Sequence, residues 1–245
     1  MRNFDPKELD ARWLEDPCRR DWLLRLLVGG ALGVVPHQAA QAFWFSSGPD
    51  KLDEDQSIHS LEGDAFVNGQ KADLNTRIAA GDRVETGADS EIVFAVGGDS
   101  FLLRSDSSLQ LDGGGFFVRG FRILSGRLLS VFARRDAGQS VAAQTGTATI
   151  GIRGTGVYLE SEPDLTYVCT CYGQVALAAA DDPNDAELIT TTNHDMPRYV
   201  GRATTGGSQI RPAPVINHSD SELKLLEAIV GRKVPKGFGV KGYTK

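Results

Sequence analysis

Between residues 58 and 199 apolar and polar positions alternate in short runs, and each run is closed by Gly, Asn, Asp or Pro. Alternation with a period of two marks strands that are buried on one face. Phe66-Val67 runs into Asn68-Gly69, the strongest short-range hairpin signal. Residues 74–78 read as a short strand, 80–82 as a turn, and 83–87 as an alternating strand ended by glycine. Glu91 to Val96 meets the turn Gly97-Gly98-Asp99, and 101–104 pairs back. Strands are expected at 109–111, 140–143, 149–159, 166–178 and 187–192. The run 121–132 carries Ser125-Gly126 at its middle and reads as two strands. Turn signals recur every ~8–12 residues with little sustained helical period, which predicts a mainly β fold: a sandwich, a barrel or a β-roll of many short strands.

The period changes near the end of the chain. Residues 201–217 are a polar Gly/Thr/Pro linker. Ser219 with Glu222 forms a capping-box pattern in front of Leu223, Leu226 and Ile229-Val230. These residues predict a short helix over 222–230, stopped by Gly231 and Pro235. Alone it is too short to be stable, so it should dock on the β body. The organisation is then 1–42, 43–57 as a linker, 58–200 as the β domain, 201–217 as a linker, and 218–245 as helix and tail.

The first segment has its own pattern. Arg19 and Arg20 precede Trp22-Leu23, an apolar run over 26–35, and Ala40-Gln41-Ala42. A basic pair, a short apolar stretch and an Ala-x-Ala site read as an export signal of twin-arginine type. The alternatives are an uncleaved hydrophobic helix anchoring the chain to the inner membrane, or an amphipathic helix over 8–28. Export would place the protein in the periplasm.

Composition narrows the classes. A net charge of −6 argues against nucleic-acid binding, for which a basic stripe is expected. The sequence has no Gly-x-Ser-x-Gly elbow and no Walker or dinucleotide fingerprint, and Asp112 to Gly115 lacks the spaced carboxylates of a calcium loop. An enzyme is not expected.

Three cysteines change the picture, because Cys18 lies in the export segment and leaves Cys169 and Cys171 as a pair. On a strand, residues i and i+2 share a face, so both thiols project together with Tyr167. Their Cα atoms would be about 6.5–7 Å apart, at the upper limit for a disulfide. Two thiolates on one face suit Zn, Cu(I) or Fe. A hairpin would bring His194 beside them, and His218 stands just before the helix. Cys169, Cys171, His194 and His218 would complete a Cys₂His₂ site. The competing readings are a disulfide, or buried thiols that act as small hydrophobic side chains. Each histidine alone would more often be structural.

The stretch 147–160 sets Gly151, Gly154 and Gly156 around Arg153. Arg153 could bind a carboxylate or phosphate ligand, or lie buried in an ion pair that fixes two strands in register. This stretch also carries a family resemblance. Leu61-Glu62-Gly63-Asp64-Ala65-Phe66-Val67-Asn68-Gly69, the run 80–87 (Ala-Gly-Asp-Arg-Val-Glu-Thr-Gly), residues 90–96, residues 107–111 and Ile150-Gly151-Ile152-Arg153-Gly154-Thr155 together resemble the FecR-domain family. The resemblance implies a mostly β periplasmic domain that transmits a signal through protein contacts in the cell envelope, linked to iron uptake or sigma-factor regulation. It makes Gly151, Arg153, Gly154 and Thr155 structural, with Arg153 paired internally. So few residues precede the apolar run that a freestanding module is expected, without a sigma-factor-binding domain. The expected function is a non-catalytic signalling and interaction module with a protein partner. The alternatives are a metal-binding or redox-sensing β protein and a structural or carbohydrate-binding module, the last using Phe116, Phe117 and Phe121.

Overall fold

The computed structural model describes residues 51–136, 139–203 and 207–239. Arg19, Arg20 and the rest of the export segment lie outside the described residues. Gly48–Lys245 forms one compact unit. Among the described residues, no helix is long and apolar enough to cross a membrane.

The fold is mainly β. Its strands are β1 (Ile58–Glu62), β2 (Ala65–Val67), β3 (Gln70–Lys71), β4 (Arg83–Thr86), β5 (Glu91–Val96), β6 (Asp99–Leu103), β7 (Ser108–Gly114), β8 (Phe117–Val131), β9 (Val141–Gln144), β10 (Ala148–Ser161), β11 (Leu165–Ala179), β12 (Ala186–Thr191), β13 (Arg198–Gly201) and β14 (Ile210–Pro212). One helix follows, α1 (Asp220–Ile229). The main path of the sheet runs β14-β13-β11-β10-β9-β8-β7-β4-β2-β3. A side branch takes β8 to β6, β5 and β1. Among the described pairings only β8 with β9 is parallel.

The Asn68-Gly69 signal makes the β2–β3 hairpin, with φ of 52° and 79° at its two central residues. Both values lie in the left-handed region that this tight turn demands. Residues 74–78 form no strand. Asp73 accepts from the Asn75 amide at 2.9 Å, and Thr76 Oγ1 accepts from the Asp73 amide at 2.9 Å. These local bonds offer the backbone a turn in place of a ladder. The run read as two strands at 121–132 belongs to the single strand β8. At Ser125-Gly126 it keeps its direction and changes partners, from β7 before that point to β6 after it. β14 lies inside the stretch read as a linker and pairs with β13.

Strand alternation fills two cores. Ile150, Ile152, Val157 and Leu159 of β10, with Val168, Val175 and Leu177 of β11, face the interior of the β body. Tyr158 of β10 and Tyr167, Cys169 and Cys171 of β11 face the opposite side. There they meet Leu223, Leu226 and Ile229 of α1, all 0–1 % exposed. Burying each of these three side chains contributes about 1.5–3 kcal/mol, which explains why so short a helix forms. Ser219 caps it and completes the capping box with Glu222, a cap worth about 1 kcal/mol.

Candidate metal centre

The site begins on β11. Its period of two turns Cys169 and Cys171 to the same side, under α1, and both are fully buried free thiols. The loop after β12 brings the third group. His194 has a φ of 58°, and its amide donates to the Cys171 carbonyl at 3.0 Å, which fixes it over β11. Thr191 Oγ1 accepts from the Asn193 amide at 3.2 Å and holds the same loop. The fourth group, His218, immediately precedes the Ser219 cap, so the start of α1 sets its position. Its ring stacks on Tyr158 at 4.6 Å with a 19° tilt.

The structure thus brings together all four residues that the sequence singled out as metal donors. Their ligand atoms lie within 4.8 Å of one another. Cys169 Sγ is 3.5 Å from His194 Nδ1, and His194 Nδ1 is 3.0 Å from His218 Nε2. A tetrahedral shell of about 2.0–2.3 Å radius has edges of roughly 3.3–3.8 Å, so the longest spacings must contract and the 3.0 Å nitrogen pair must open slightly to close it.

Hydrogen bonds from the outer ring nitrogens decide the chemistry. His194 Nε2 donates to Asp220 Oδ1 at 3.1 Å, and His218 Nδ1 donates to the Ile216 carbonyl at 2.6 Å. A carboxylate and a carbonyl can only accept, so each of these nitrogens carries the proton. The inner nitrogens, His194 Nδ1 and His218 Nε2, face each other across 3.0 Å beside the Cys169 sulfur. A proton on His194 Nδ1 can be shared with His218 Nε2 or the Cys169 sulfur, and a metal ion can take the place of that proton. Carboxylate and carbonyl partners behind the histidines are also the usual support of metal-ligating imidazoles.

The titration behaviour has the same origin. Donation from Cys171, with His194 and His218 adding to it, holds the Cys169 thiol well below the usual thiol range despite burial. Burial pushes the Cys171 thiol up, and Cys169 beside it adds to that. Burial opposes charge on His194, but its bonds to Cys169 and Asp220 outweigh this and raise its pKa.

The sequence reading missed Asp220, which it took only as part of the helix start. Its partner His194 lies 26 residues away along the chain, so no local spacing pointed to it. Asp220→Asn keeps an acceptor but removes the charge behind His194. It is expected to weaken zinc binding about 10–100-fold with the fold intact, read by titration against a competing chelator. A change of less than about 3-fold would remove Asp220 from the support of the site.

Arg153 is a correction. The internal ion pair expected for it does not form: its side chain is exposed and meets no carboxylate among the described residues. Ile152 faces the core, so alternation turns Arg153 outward. Gly151 lies in the ladder between Ala142 and Ala176. The register slips between Arg153 and Gly156, and Gly154 takes a φ of 58° in that bulge. Before the slip β10 pairs with β9, and after it with β8. Thr155 is buried there, and its carbonyl accepts from the Phe132 amide at 3.0 Å. Arg153→Ala is expected to change stability by no more than about 0.5 kcal/mol. A loss above 2 kcal/mol in denaturant unfolding would restore a structural role. Of the aromatic cluster offered for sugar stacking, Phe121 is buried while Phe116 and Phe117 are exposed.

No family model matches the sequence, and no curated protein matches it. Among solved structures, two crystal structures of a candidate anti-sigma factor from Parabacteroides distasonis overlap the chain. Their TM-scores are 0.41 and 0.40, at 14% and 13% identity. Each alignment covers 49% of this chain and 54% of that one, so the chain spans about half the length of the structures it matches.

Proposed function

We propose that the chain is a non-catalytic, zinc-binding interaction module of the cell envelope. The observation that carries the reading is the convergence of two buried thiols and two imidazole nitrogens within 4.8 Å of one another. Cys₂His₂ sets favour tetrahedral zinc. Four protein donors fill that shell and leave no position for substrate or activated water, so the ion serves structure and regulation. Copper(I) and iron are the other soft-donor ions this set would accept. Elemental analysis of the purified full chain tests it. One zinc per chain is expected, and it should be absent after joint replacement of Cys169 and Cys171 by serine. Unchanged metal content in that double variant sinks the proposal.

A second, finer reading is FecR-type signalling in the periplasm, in iron uptake or sigma-factor control. It is favoured by where the family-like pieces fall. Leu61 to Gly69 builds the turn from β1 to β2, 80–87 builds β4, and Ile150 to Thr155 forms the bulge of β10. A reporter fused to the chain and active only in the periplasm would support it. Retention of unprocessed protein in the cytoplasm would count against it.

A further inference from the structure

We propose that the ion is a latch that holds the C-terminal arm, residues 213–239, against the sheet, so that metal occupancy controls exposure of the apolar face beneath. This rests on the zinc reading above. The donors are divided between two parts of the fold. Cys169, Cys171 and His194 belong to the β body, while His218 and its neighbour Asp220 belong to the arm. Phe238, near the far end of the arm, closes over the cluster with its ring 5.3 Å from His194. An ion would therefore bridge the β body and the arm, beside the His194–Asp220 bond already between them.

Docking without an ion sets His218 Nε2 against His194 Nδ1 at 3.0 Å. Docking with an ion replaces that contact by a bond from each imidazole to the metal. Hydrogen bonds tie the arm down as well: Tyr167 Oη donates to the Pro214 carbonyl at 2.8 Å, and the Gly239 amide donates to Asn193 Oδ1 at 2.9 Å. Arg104 pairs with Glu222 at 2.7 Å, and Ser100 Oγ donates to the Leu226 carbonyl at 2.7 Å. They set where the arm lies, and the ion sets how often it leaves. Beneath the arm are Val93, Leu102, Leu129, Tyr158 and Tyr167, an apolar face that opening exposes. A ligand that binds only the docked state shifts the opening equilibrium by the factor 1 + [L]/Kd.

The test uses the full chain, stripped with a chelator and reloaded with zinc chloride, followed by hydrogen exchange and by a fluorescent dye that binds exposed apolar surface. At free zinc about 100 times Kd, the amides of α1 should exchange about 100-fold more slowly. In the metal-free protein the amides of α1 should exchange much faster than those of β5 and β6, and that protein should bind more dye. Zinc binding that leaves α1 exchange unchanged overturns the latch and leaves the zinc reading standing. Equal protection of α1, β5 and β6 in the metal-free protein also overturns the latch, because the arm then opens only when the whole fold unfolds. Failure to bind zinc at all overturns both.

Discussion

Cys169→Ser is expected to lower zinc affinity by more than about 100-fold. Losing a partner behind a ligand already costs 10–100-fold, and here the ligand itself goes. A serine hydroxyl stays protonated at neutral pH, whereas the surroundings of Cys169 favour its thiolate. The hydroxyl is smaller than the thiol but can keep the bond to His194, so the metal-free fold should survive the exchange. The informative quantity is the zinc-induced rise in Tm. At free zinc 100 times Kd it corresponds to about 2.7 kcal/mol, or roughly 5–11 °C for a domain of this size. The wild-type chain should show this rise and the variant should not. A variant that keeps it binds its metal elsewhere.

Gly173→Ala should be among the most destabilising single methyl additions. Gly173 ends the Cys-x-Cys-Tyr run and holds a φ of 94°. A Cβ there would lie 2.3 Å from the Thr155 methyl. Overpacking of this kind costs about 1–3 kcal/mol, and the left-handed backbone adds about 1–2 kcal/mol. Together these give roughly 3 kcal/mol, or about 6–12 °C in Tm. The two contributions can be separated. Thr155→Ser removes the methyl that collides, so Gly173→Ala made in that background should recover the steric part and keep the backbone part. Strict additivity in this double-mutant cycle would show that the two residues do not meet.

Much of the β body was legible because alternation and turn chemistry agree. Glu91 to Val96 followed by Gly97-Gly98 is an apolar strand and its turn, with no competing pattern. The convergence of Cys169 and Cys171 followed from the strand period, and that of His194 from a hairpin between adjacent strands. The helix start was written in Ser219 and Glu222. Other features depended on tertiary contacts. Residues 210–212 look like linker because Gly, Ser and Pro surround them, yet β13 recruits them as an edge. Leu74 and Ile78 look like a strand, but the Asp73 side chain bonds the backbone into a turn. Arg153 was expected inside because the family resemblance made its glycine-rich stretch a packed internal fastener. That packing exists, but alternation gives the inward positions to Ile152 and Val157. Asp220 went unread because its role depends on a histidine that is distant in sequence.

The stack of Tyr158 on His218 has an optical consequence. All three tryptophans of the chain, Trp13, Trp22 and Trp44, lie outside the described residues. The aromatic ring beside the candidate centre is Tyr158, with Tyr167 edge-on to it at 6.0 Å and Tyr199 next to Tyr167 at 5.5 Å. Tyr172 lies against Phe238 at 5.1 Å. Four of the five tyrosines therefore form one chromophore cluster around the sulfur and imidazole donors. Its near-ultraviolet circular dichroism depends on rings held in fixed chiral contact. Tyrosine bands thus offer a label-free view of the environment of the centre in the native, unmutated chain.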